Sequence, residues 1–329
     1  MNKFILLLIL SLVTCDDEEQ VIYRHFQRFV KKYGKKYSST EEYLTRYNAF
    51  KGNYLTILEN GPQEYDVGIT KYSDMTPEEF AKTYLNLKFD PDSLLNIETV
   101  TPKETDDPAP DSFDWRDKGV VADVKDQGQC GSCWSFATMA NLEGLYAQKK
   151  KVIKTFSEQF LVDCDTEDAG CNGGLMEYAF DWLKKNGGFM YEKDYPYTSQ
   201  NGTCKLDPSK YVDMKVTGYV KLGPKTEGIL LPCDENDMKE FLYQTGPLAI
   251  ALNATPLQLY IGGIVDLDIC NPRINHAVTL VGYGTDSKDY WIVKNSWGKD
   301  WGENGYFRIA RGKGTCGVNT YVTTATVEF

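Results

Sequence analysis

The chain has 329 residues, and 42% of them are hydrophobic, which is enough to build a packed core. Its formal net charge is −11 and its pI is about 4.9, which argues against a nucleic-acid-binding protein, because such proteins present a basic surface. An acidic protein of this kind is compatible with an acidic compartment.

The first 15 residues have the pattern of a signal peptide. Lys3 precedes an apolar run from Phe4 to Val13, and Thr14 and Cys15 follow in the cleavage region. The apolar run is too short to span a bilayer, and no later segment is long enough either. We therefore expect no membrane span and entry into the secretory pathway, with a lysosome, an acidic vacuole or the extracellular space as the destination.

Helical patterns follow between residues 16 and 62. The first helix carries apolar residues on one side: Ile22, Phe26, Phe29, Val30 and Tyr33. A second helix begins at the capping box Ser39-Thr40-Glu41-Glu42 and ends at Gly61-Pro62. One face of this helix is formed by residues three or four positions apart: Glu42, Arg46, Phe50, Asn53 and Ile57. These patterns alone fit an ordinary helical bundle.

Two further segments precede residue 111. The first is a motif that reads Gly68-Ile69-Thr70-Lys71-Tyr72-Ser73-Asp74. The second comprises residues 90–110, which are rich in Pro, Asp and Thr. This composition is typical of a linker.

The most informative segment is the decapeptide at residues 127–136, which reads Gln-Gly-Gln-Cys-Gly-Ser-Cys-Trp-Ser-Phe. It places the thiol of Cys133 where a Gly/Ser-rich loop turns into a helix with an apolar pattern. A helix N-terminus carries a partial positive charge and unpaired N–H groups, so it stabilises a thiolate, the reactive form of cysteine. The segment therefore predicts a nucleophilic thiol at Cys133.

Cys130 and Cys133 also form a Cys-x-x-Cys pair, which has two other interpretations. A thioredoxin-like dithiol would need a βαβ setting, which the surrounding sequence does not indicate. A zinc site would need about four ligands, and no second Cys-x-x-Cys exists in the chain. The nucleophile is the better-supported interpretation, and we expect no metal and no cofactor.

The segment from Cys130 to Trp134 resembles the nucleophile loop of papain-like cysteine proteases, the papain/cathepsin family. A cysteine nucleophile needs a general base, and the chain has two histidines, His25 and His276. Because His25 lies in a region that we expect to be removed, His276 is the candidate base. Its separation from Cys133 is also typical of the family.

The resemblance implies roles for two further residues in the reaction. Asn295 should orient the imidazole ring of His276, since an amide can hold the ring without becoming charged. Trp297 matches the tryptophan that shields this asparagine, and we also expect it to border the substrate. Gln127 should bind the oxyanion of the tetrahedral intermediate together with the backbone N–H of Cys133.

Residues 16–110 resemble the inhibitory prosegment of cathepsin L/F-type proteases, and residues 111–329 are expected to form the peptidase domain. The second helix and the motif that ends at Asp74 carry this resemblance. Processing is expected near Pro110, because the following residues resemble a mature N-terminus of the family. If Glu42 and Asp74 are ion-paired in the folded prosegment, acid should weaken the prosegment.

The implied fold class is α+β, a papain-like two-lobe fold with a helical lobe and a β-barrel-like lobe on either side of a cleft. The helical lobe should hold the helix that begins at Cys133 and continues through Met139, Leu142 and Leu145. Strand patterns predict the other lobe: residues 248–252, 278–283 and 306–309. Cys133 is expected on one wall of the cleft and His276 on the other.

The nine cysteines support an oxidising compartment. Cys15 belongs to the expected signal peptide. The resemblance implies three disulfides: Cys130–Cys171, Cys164–Cys204 and Cys270–Cys316. Cys233 is left over, either as a buried free thiol or as an exposed one.

The resemblance also indicates which residues surround a bound substrate. Gly173 and Gly174 should leave the cleft wall open for the backbone of an extended peptide. Six residues should line the main specificity pocket: Leu175, Met176, Ala251, Ile274, Ala277 and Tyr321. Tyr321, at the far end, should make the pocket shallow, so we expect Leu or Val to be preferred over Phe two residues before the cut bond.

These residues predict a cysteine endopeptidase that hydrolyses peptide bonds through a thioester on Cys133 and is made as a zymogen. Expected partners are protein and peptide substrates, the chain's own prosegment and cystatin-type inhibitors, with a monomer as the expected state. Two alternatives remain open. One is an inactive papain-shaped binding protein, and the other is a peptide ligase that resolves the same thioester with an amine.

Overall fold

The computed structural model describes residues 3–60, 65–88, 99–223, 232–267, 270–271 and 273–329, with side chains from residue 18 onwards except that of Asn60. The expected signal peptide, residues 1–15, lies outside the part whose side chains are described. Among the described helices, none combines the length and the hydrophobicity that are required to traverse a bilayer.

Three helices form the N-terminal region: α1 (Lys3–Lys32), α2 (Thr40–Asn60) and α3 (Pro77–Tyr84). α1 and α2 pack together through a largely aromatic core of their own: Ile22, Phe26, Phe29, Tyr47 and Phe50. α2 begins at the predicted cap, where Ser39 Oγ accepts from the backbone N of Glu42 at 3.1 Å. α3 begins at a complete capping box between Thr76 and Glu79.

Asp74 lies in the loop that precedes α3 and is held by several hydrogen bonds. Its carboxylate accepts from Lys35 Nζ at 2.8 Å and from the hydroxyl of Tyr37 at 3.0 Å. Its backbone O accepts from Arg46 at 3.2 Å. The expected ion pair of Asp74 is therefore present, whereas the carboxylate of Glu42 accepts from the backbone just before its own helix.

Three helices build the helical lobe: α4 (Cys133–Lys150), α5 (Glu158–Cys164) and α6 (Met176–Asn186). α4 runs through the centre of this lobe and is buried along most of its length. Met139 and Leu142 lie in the lobe's core as predicted, and Leu145 packs at its edge.

Besides these helices, the described residues form ten strands and a further α-helix: β1 (Tyr65–Val67), β2 (Thr99–Val100), β3 (Phe113–Asp114), β4 (Lys215–Leu222), α7 (Glu235–Thr245), β5 (Leu248–Leu252), β6 (Tyr260–Val265), β7 (His276–Thr285), β8 (Asp289–Lys294), β9 (Tyr306–Ala310) and β10 (Tyr321–Glu328). The strands at 248–252, 278–283 and 306–309 confirm the sequence-based expectation.

The strands join one sheet in the order β1-β6-β9-β8-β7-β5-β10-β4-β2, with β3 paired to β7. Within the described residues this path does not close on itself, so the barrel-like lobe is not a closed barrel. Both end strands, β1 and β2, come from the region before residue 110. That region therefore covers both edges of the sheet of the C-terminal region, which would otherwise expose unpaired backbone groups.

The loop between β1 and α3 is bound to the sheet lobe by Gln258, which belongs to the C-terminal region. Gln258 Nε2 donates to Tyr72 O at 3.1 Å, and the hydroxyl of Thr70 donates to Gln258 O at 2.7 Å. The rings of Tyr72 and Phe80 pack edge-on against Trp297, with centroids 5.6 and 5.1 Å away. These contacts attach the N-terminal region to the sheet lobe.

Three disulfides join the pairs that the resemblance implies: Cys130–Cys171, Cys164–Cys204 and Cys270–Cys316. Cys164, the last residue of α5, and Cys171 each form one of these bonds, which restricts the segment that leads to α6. Cys133 and Cys233 are free and buried, so the buried alternative for Cys233 is confirmed.

Candidate active site

Cys133 lies at the boundary between the lobes. It is the first residue of α4, as predicted, and its side chain has no exposed surface. β7 reaches it from the sheet lobe, because the backbone of Ala277 hydrogen-bonds to the sulfur of Cys133. Ala277 directly follows His276, so the candidate base of the sheet lobe lies next to a residue that contacts the thiol of the helical lobe.

His276 begins β7, and Asn295 directly follows β8, the neighbouring strand. Nε2 of His276 lies 2.8 Å from Oδ1 of Asn295. The same Oδ1 accepts from the backbone N of Ser296 at 2.8 Å, which identifies it as the amide oxygen. The ring must therefore donate from Nε2, and Nδ1 is left as the basic nitrogen.

Trp297 covers this pair. Its ring centroid lies 4.8 Å from that of His276, and the side chain is fully buried. Trp301 packs edge-on behind it at 4.7 Å. Excluding water in this way strengthens the hydrogen bond between His276 and Asn295. Trp297 belongs to the core of the sheet lobe and not to the cluster of the predicted pocket residues.

Gln127 is fully buried and connects the two lobes. Its backbone N donates to Ser296 O at 2.8 Å, and its Oε1 accepts from the hydroxyl of Ser296 at 2.7 Å. This fixes the amide, so that Nε2 is the donor and points to Cys130 O at 2.9 Å. Nε2 is also 3.5 Å from Tyr84 O, which is a carbonyl oxygen of the N-terminal region.

The segment after α3 lies directly over the nucleophile. The backbone of Asn86 hydrogen-bonds to the sulfur of Cys133, and the backbone of Tyr84 interacts with the ring of His276. The segment lies directly against Cys133 and His276, because neither of these two side chains has any exposed surface. The chain's own backbone thus covers both candidate catalytic side chains.

The same segment pairs with both walls of the cleft. Leu87 N donates to Asn275 O at 3.2 Å on one side, and Lys88 N donates to Gly174 O at 3.0 Å on the other. Leu87 and Gly174 form a parallel bridge. A Cβ at Gly173, where φ is +109°, would come within 2.0 Å of Asn86 O. Only glycine allows the approach of this backbone.

Burial changes the ionisation of both catalytic candidates. It raises the pKa of the Cys133 thiol to about 11, against hydrogen bonds from the backbone of Ala277, Trp134 and Asn86 that lower it. Burial likewise lowers the pKa of His276 to about 4, although the hydrogen bond to Asn295 and the backbone of Tyr84 raise it. In this covered form burial opposes the stabilised thiolate that the helix N-terminus predicts, and that expectation stays a prediction for the uncovered site.

The six predicted pocket residues are brought together in one buried cluster: Leu175, Met176, Ala251, Ile274, Ala277 and Tyr321. Leu87 belongs to the same cluster and is itself buried. An apolar side chain of the N-terminal region therefore packs in the same buried cluster as the predicted pocket residues. Tyr321 has no exposed surface there.

Two aspartates lie behind the cleft wall. Asp168 Oδ1 accepts from the backbone N of Leu175 at 2.8 Å, and Asp165 Oδ1 accepts from the backbone N of Glu167 at 2.8 Å. A further hydrogen bond joins the two carboxyl groups to each other. Burial raises the pKa of both, and their mutual repulsion raises that of Asp168 further. The raised pKa values favour a protonated form of this pair, which holds the segment that leads to Leu175.

The sequence did not lead us to the residues after α3 that cover Cys133, or to the pair of Asp165 and Asp168. The Thr76-Pro77-Glu78-Glu79 run is a capping box, so α3 could have been found from the sequence. No local signal marks Leu87 as a pocket occupant or Asp168 as a buried carboxyl. Both depend on contacts between segments that are far apart in the chain.

Comparison with known protein families gives two matches. Residues 109–326 match the model described as papain family cysteine protease. Residues 26–80 match the model described as cathepsin propeptide inhibitor domain. The two matched segments follow one another along the chain.

The chain is similar to curated proteins over most of its length. It is 43% identical over 317 residues to "Cysteine proteinase A" of Leishmania mexicana, covering 92% of this chain and 85% of the relative. It is 42% identical over 326 residues to "Cysteine proteinase 1" of Zea mays, covering 91% of this chain and 85% of the relative.

Solved structures of precursors share the whole architecture. Digestive procathepsin L 3 from the larval midgut of Tenebrio molitor superposes with a TM-score of 0.81 at 37% identity, covering 93% of this chain and 99% of that one. The recombinant stem bromelain precursor superposes with a TM-score of 0.80 at 34% identity, covering 94% and 99%.

Proposed function

The chain belongs to the papain family of cysteine proteases, and from this premise we propose that it is an endopeptidase that cleaves peptide bonds through a thioester on Cys133. The observation that carries the proposal is the pairing of His276 Nε2 with Asn295 Oδ1 at 2.8 Å. This pairing leaves Nδ1 of His276 as the nitrogen that exchanges a proton with the thiol.

The reaction proceeds in two halves. His276 takes the proton of Cys133, and the thiolate attacks the carbonyl carbon of the peptide. Gln127 Nε2 and the backbone N–H of Cys133 stabilise the negative oxygen of the tetrahedral intermediate. The imidazolium then gives its proton to the leaving amine, and a thioester remains. In the second half, water loses a proton to His276 and attacks the thioester, which releases the acid and restores the thiol.

The protein carries a cathepsin propeptide inhibitor domain, and we propose that the segment after it inhibits the enzyme by occupying the cleft. Leu87 fills the pocket cluster, and Lys88 pairs with Gly174. Tyr84 O stands 3.5 Å from the proposed oxyanion donor Gln127 Nε2. The expected prosegment boundaries, residues 16–110, and processing near Pro110 remain part of this proposal.

We further propose that acid releases this segment. In the covered form His276 is held neutral with a pKa of about 4, against an ordinary value of about 6.5. Opening the cleft returns the ring to solvent, so the open form binds one more proton in the window between these values. The stability of the covered form is therefore full above about pH 6.5 and is lost as the pH falls towards 4. This behaviour suits an acidic compartment of the secretory pathway.

The test is proteolysis by purified protein after incubation at about pH 4–5, with Cys133→Ser as the control. Mass spectrometry of a digested protein should show internal cuts from the earliest times. Stepwise loss of residues from one chain end would contradict an endopeptidase. Products joined to an added amine would show the ligase, and the absence of turnover in freshly reduced enzyme would support the inactive binding protein.

A further inference from the structure

The last residues before the expected peptidase domain bind along α7 and the edge of β4. β2 pairs in parallel with β4, with Val100 opposite Leu222, and Gly223 N donates to Val100 O at 3.3 Å. The sequence indicates a linker here, but from Thr99 to Ala109 the described backbone is fastened to the C-terminal region. We call this stretch, residues 99–109, the docking strand.

One side chain of α7 clamps the docking strand by its backbone. Gln244 Oε1 accepts from Lys103 N at 3.0 Å, and Gln244 Nε2 donates to Lys103 O at 2.9 Å. This pair of hydrogen bonds resembles the pairing of two β-strands. It binds the backbone of an extended peptide whatever the side chain at that position.

Two neighbours of Gln244 on α7 add direction and charge preference. The hydroxyl of Tyr243 donates to Asp107 Oδ2 at 3.1 Å. The carboxylate of Glu240 accepts from Ala109 N with both oxygens, at 3.1 and 3.0 Å. The groove thus fixes three successive points of one peptide: a backbone at Lys103, an acidic side chain at Asp107 and a backbone N–H at Ala109.

The floor of this groove is aromatic. Phe113 packs edge-on against Tyr243 with centroids 5.0 Å apart and against Trp115 at 4.8 Å. The indole N–H of Trp115 donates to Leu242 O at 3.0 Å, so the ring is fixed by the same helix. These residues follow the expected processing point, so they stay with the peptidase domain when the docking strand is removed.

We propose that the processed enzyme has a second peptide-binding site, the α7–β4 groove, which takes an extended peptide with an acidic residue four positions after its clamped backbone. The docking strand is its first occupant. Removing that strand leaves the β4 edge, the amide of Gln244 and the carboxylate of Glu240 without these partners, and a peptide of the same chemistry restores them. The site lies outside the catalytic cleft. Its exposure rests on the proposed processing near Pro110.

The test uses the full-length protein, processed until residues before Pro110 are gone and then alkylated at Cys133. If it does not process itself, a trace of added protease removes the segment. A fluorescein-labelled peptide with the sequence of residues 99–109 is titrated by fluorescence anisotropy. We expect saturable binding, weakened about tenfold by Gln244→Ala and about threefold by Tyr243→Phe, the losses expected for one or two hydrogen bonds. Lys184→Gln, exposed on another helix, and a scrambled peptide serve as controls.

Unprocessed zymogen should bind the peptide at least about tenfold more weakly, because its own docking strand fills the groove. The proposal is overturned by any of three results: no saturation up to about 1 mM, equal binding by the Gln244→Ala variant, or binding that disappears when Cys133 is alkylated. A processed enzyme that forms dimers and excludes the peptide would assign the groove to a second copy and also overturn it. Because binding is read without turnover, failure of the proposed peptidase activity would be seen separately.

Discussion

Oδ1 of Asn295 accepts two hydrogen bonds at once, from Nε2 of His276 and from the backbone N of Ser296, each at 2.8 Å. The backbone contact prevents the amide from flipping, so the ring of His276 has one orientation and one neutral tautomer. The basic nitrogen is then Nδ1. A side chain that never touches the substrate thereby decides which ring nitrogen can accept a proton.

Asn295→Ala should lower kcat/KM by about 10²-fold or more, because the ring loses its orientation and the wrong nitrogen can carry the proton. KM should change much less than kcat, since the pocket cluster is untouched. Steady-state kinetics on a short peptide substrate measures this. Asn295→Asp keeps the acceptor and should recover part of kcat with a shifted acid limb of the pH profile. Equal losses in both variants would show that Asn295 is only a packing residue.

Leu87→Asp should release the prosegment more readily, because it places a carboxylate in the apolar pocket cluster. The expected result is faster appearance of processed enzyme at a fixed pH near 5, followed on denaturing gels. Leu58→Asp is the matched control, since Leu58 is 57% exposed. Identical processing rates for the two variants would show that Leu87 does not hold the cleft closed.

Tyr321→Ala should deepen the specificity pocket, because the tyrosine is fully buried among its lining residues. The ratio of kcat/KM for Phe to that for Leu, two residues before the cut bond, should rise. Misfit on this scale is worth about 1–3 kcal/mol, so a change of roughly tenfold is expected. Val322→Ala alters the opposite face of the same strand and should leave the ratio unchanged. An unmodified enzyme that prefers Phe or Arg would contradict the shallow pocket.

Asp168→Asn should remove a pH dependence of stability. The raised pKa of Asp168 and Asp165 means that the folded pair holds a proton that the unfolded chain loses. Stability is therefore highest at or below the ordinary carboxyl range and falls as the pH rises above it. An asparagine still accepts from Leu175 N and can donate to Asp165, but it cannot ionise.

Thermal unfolding of the Asp168→Asn variant at pH 5 and pH 8 checks this expectation. The difference in Tm between the two pH values should shrink relative to that of the unmodified protein. Asp207→Asn is the control, because Asp207 pairs with Lys210 at the surface, away from the buried aspartates. If the difference persists in Asp168→Asn and shrinks in Asp207→Asn, the proton that the folded protein holds does not reside on the buried pair.

Local motifs were sufficient to place Cys133 at a helix start, and the family resemblance implied the three disulfides that the structure contains. The choice of His276 as the base and of six residues as the specificity pocket stays a prediction, which rests on elimination and on the resemblance. The open sheet, the docking strand and the pKa of Cys133 could not be read in this way. Each depends on which distant segment covers it: the prosegment supplies both end strands, and its backbone removes Cys133 from solvent.

We propose that Cys133 is the nucleophile and that the prosegment makes it unreactive by burying it. The most direct measurement is alkylation with isotope-labelled iodoacetamide at pH 7, followed by peptide mapping, on zymogen and on processed enzyme. We predict that Cys133 is unmodified in the zymogen and that in the processed enzyme its modification matches the loss of turnover one to one. Turnover that survives complete modification of Cys133, or inactivation that parallels the modification of Cys233 instead, would contradict the assignment of Cys133 as the nucleophile.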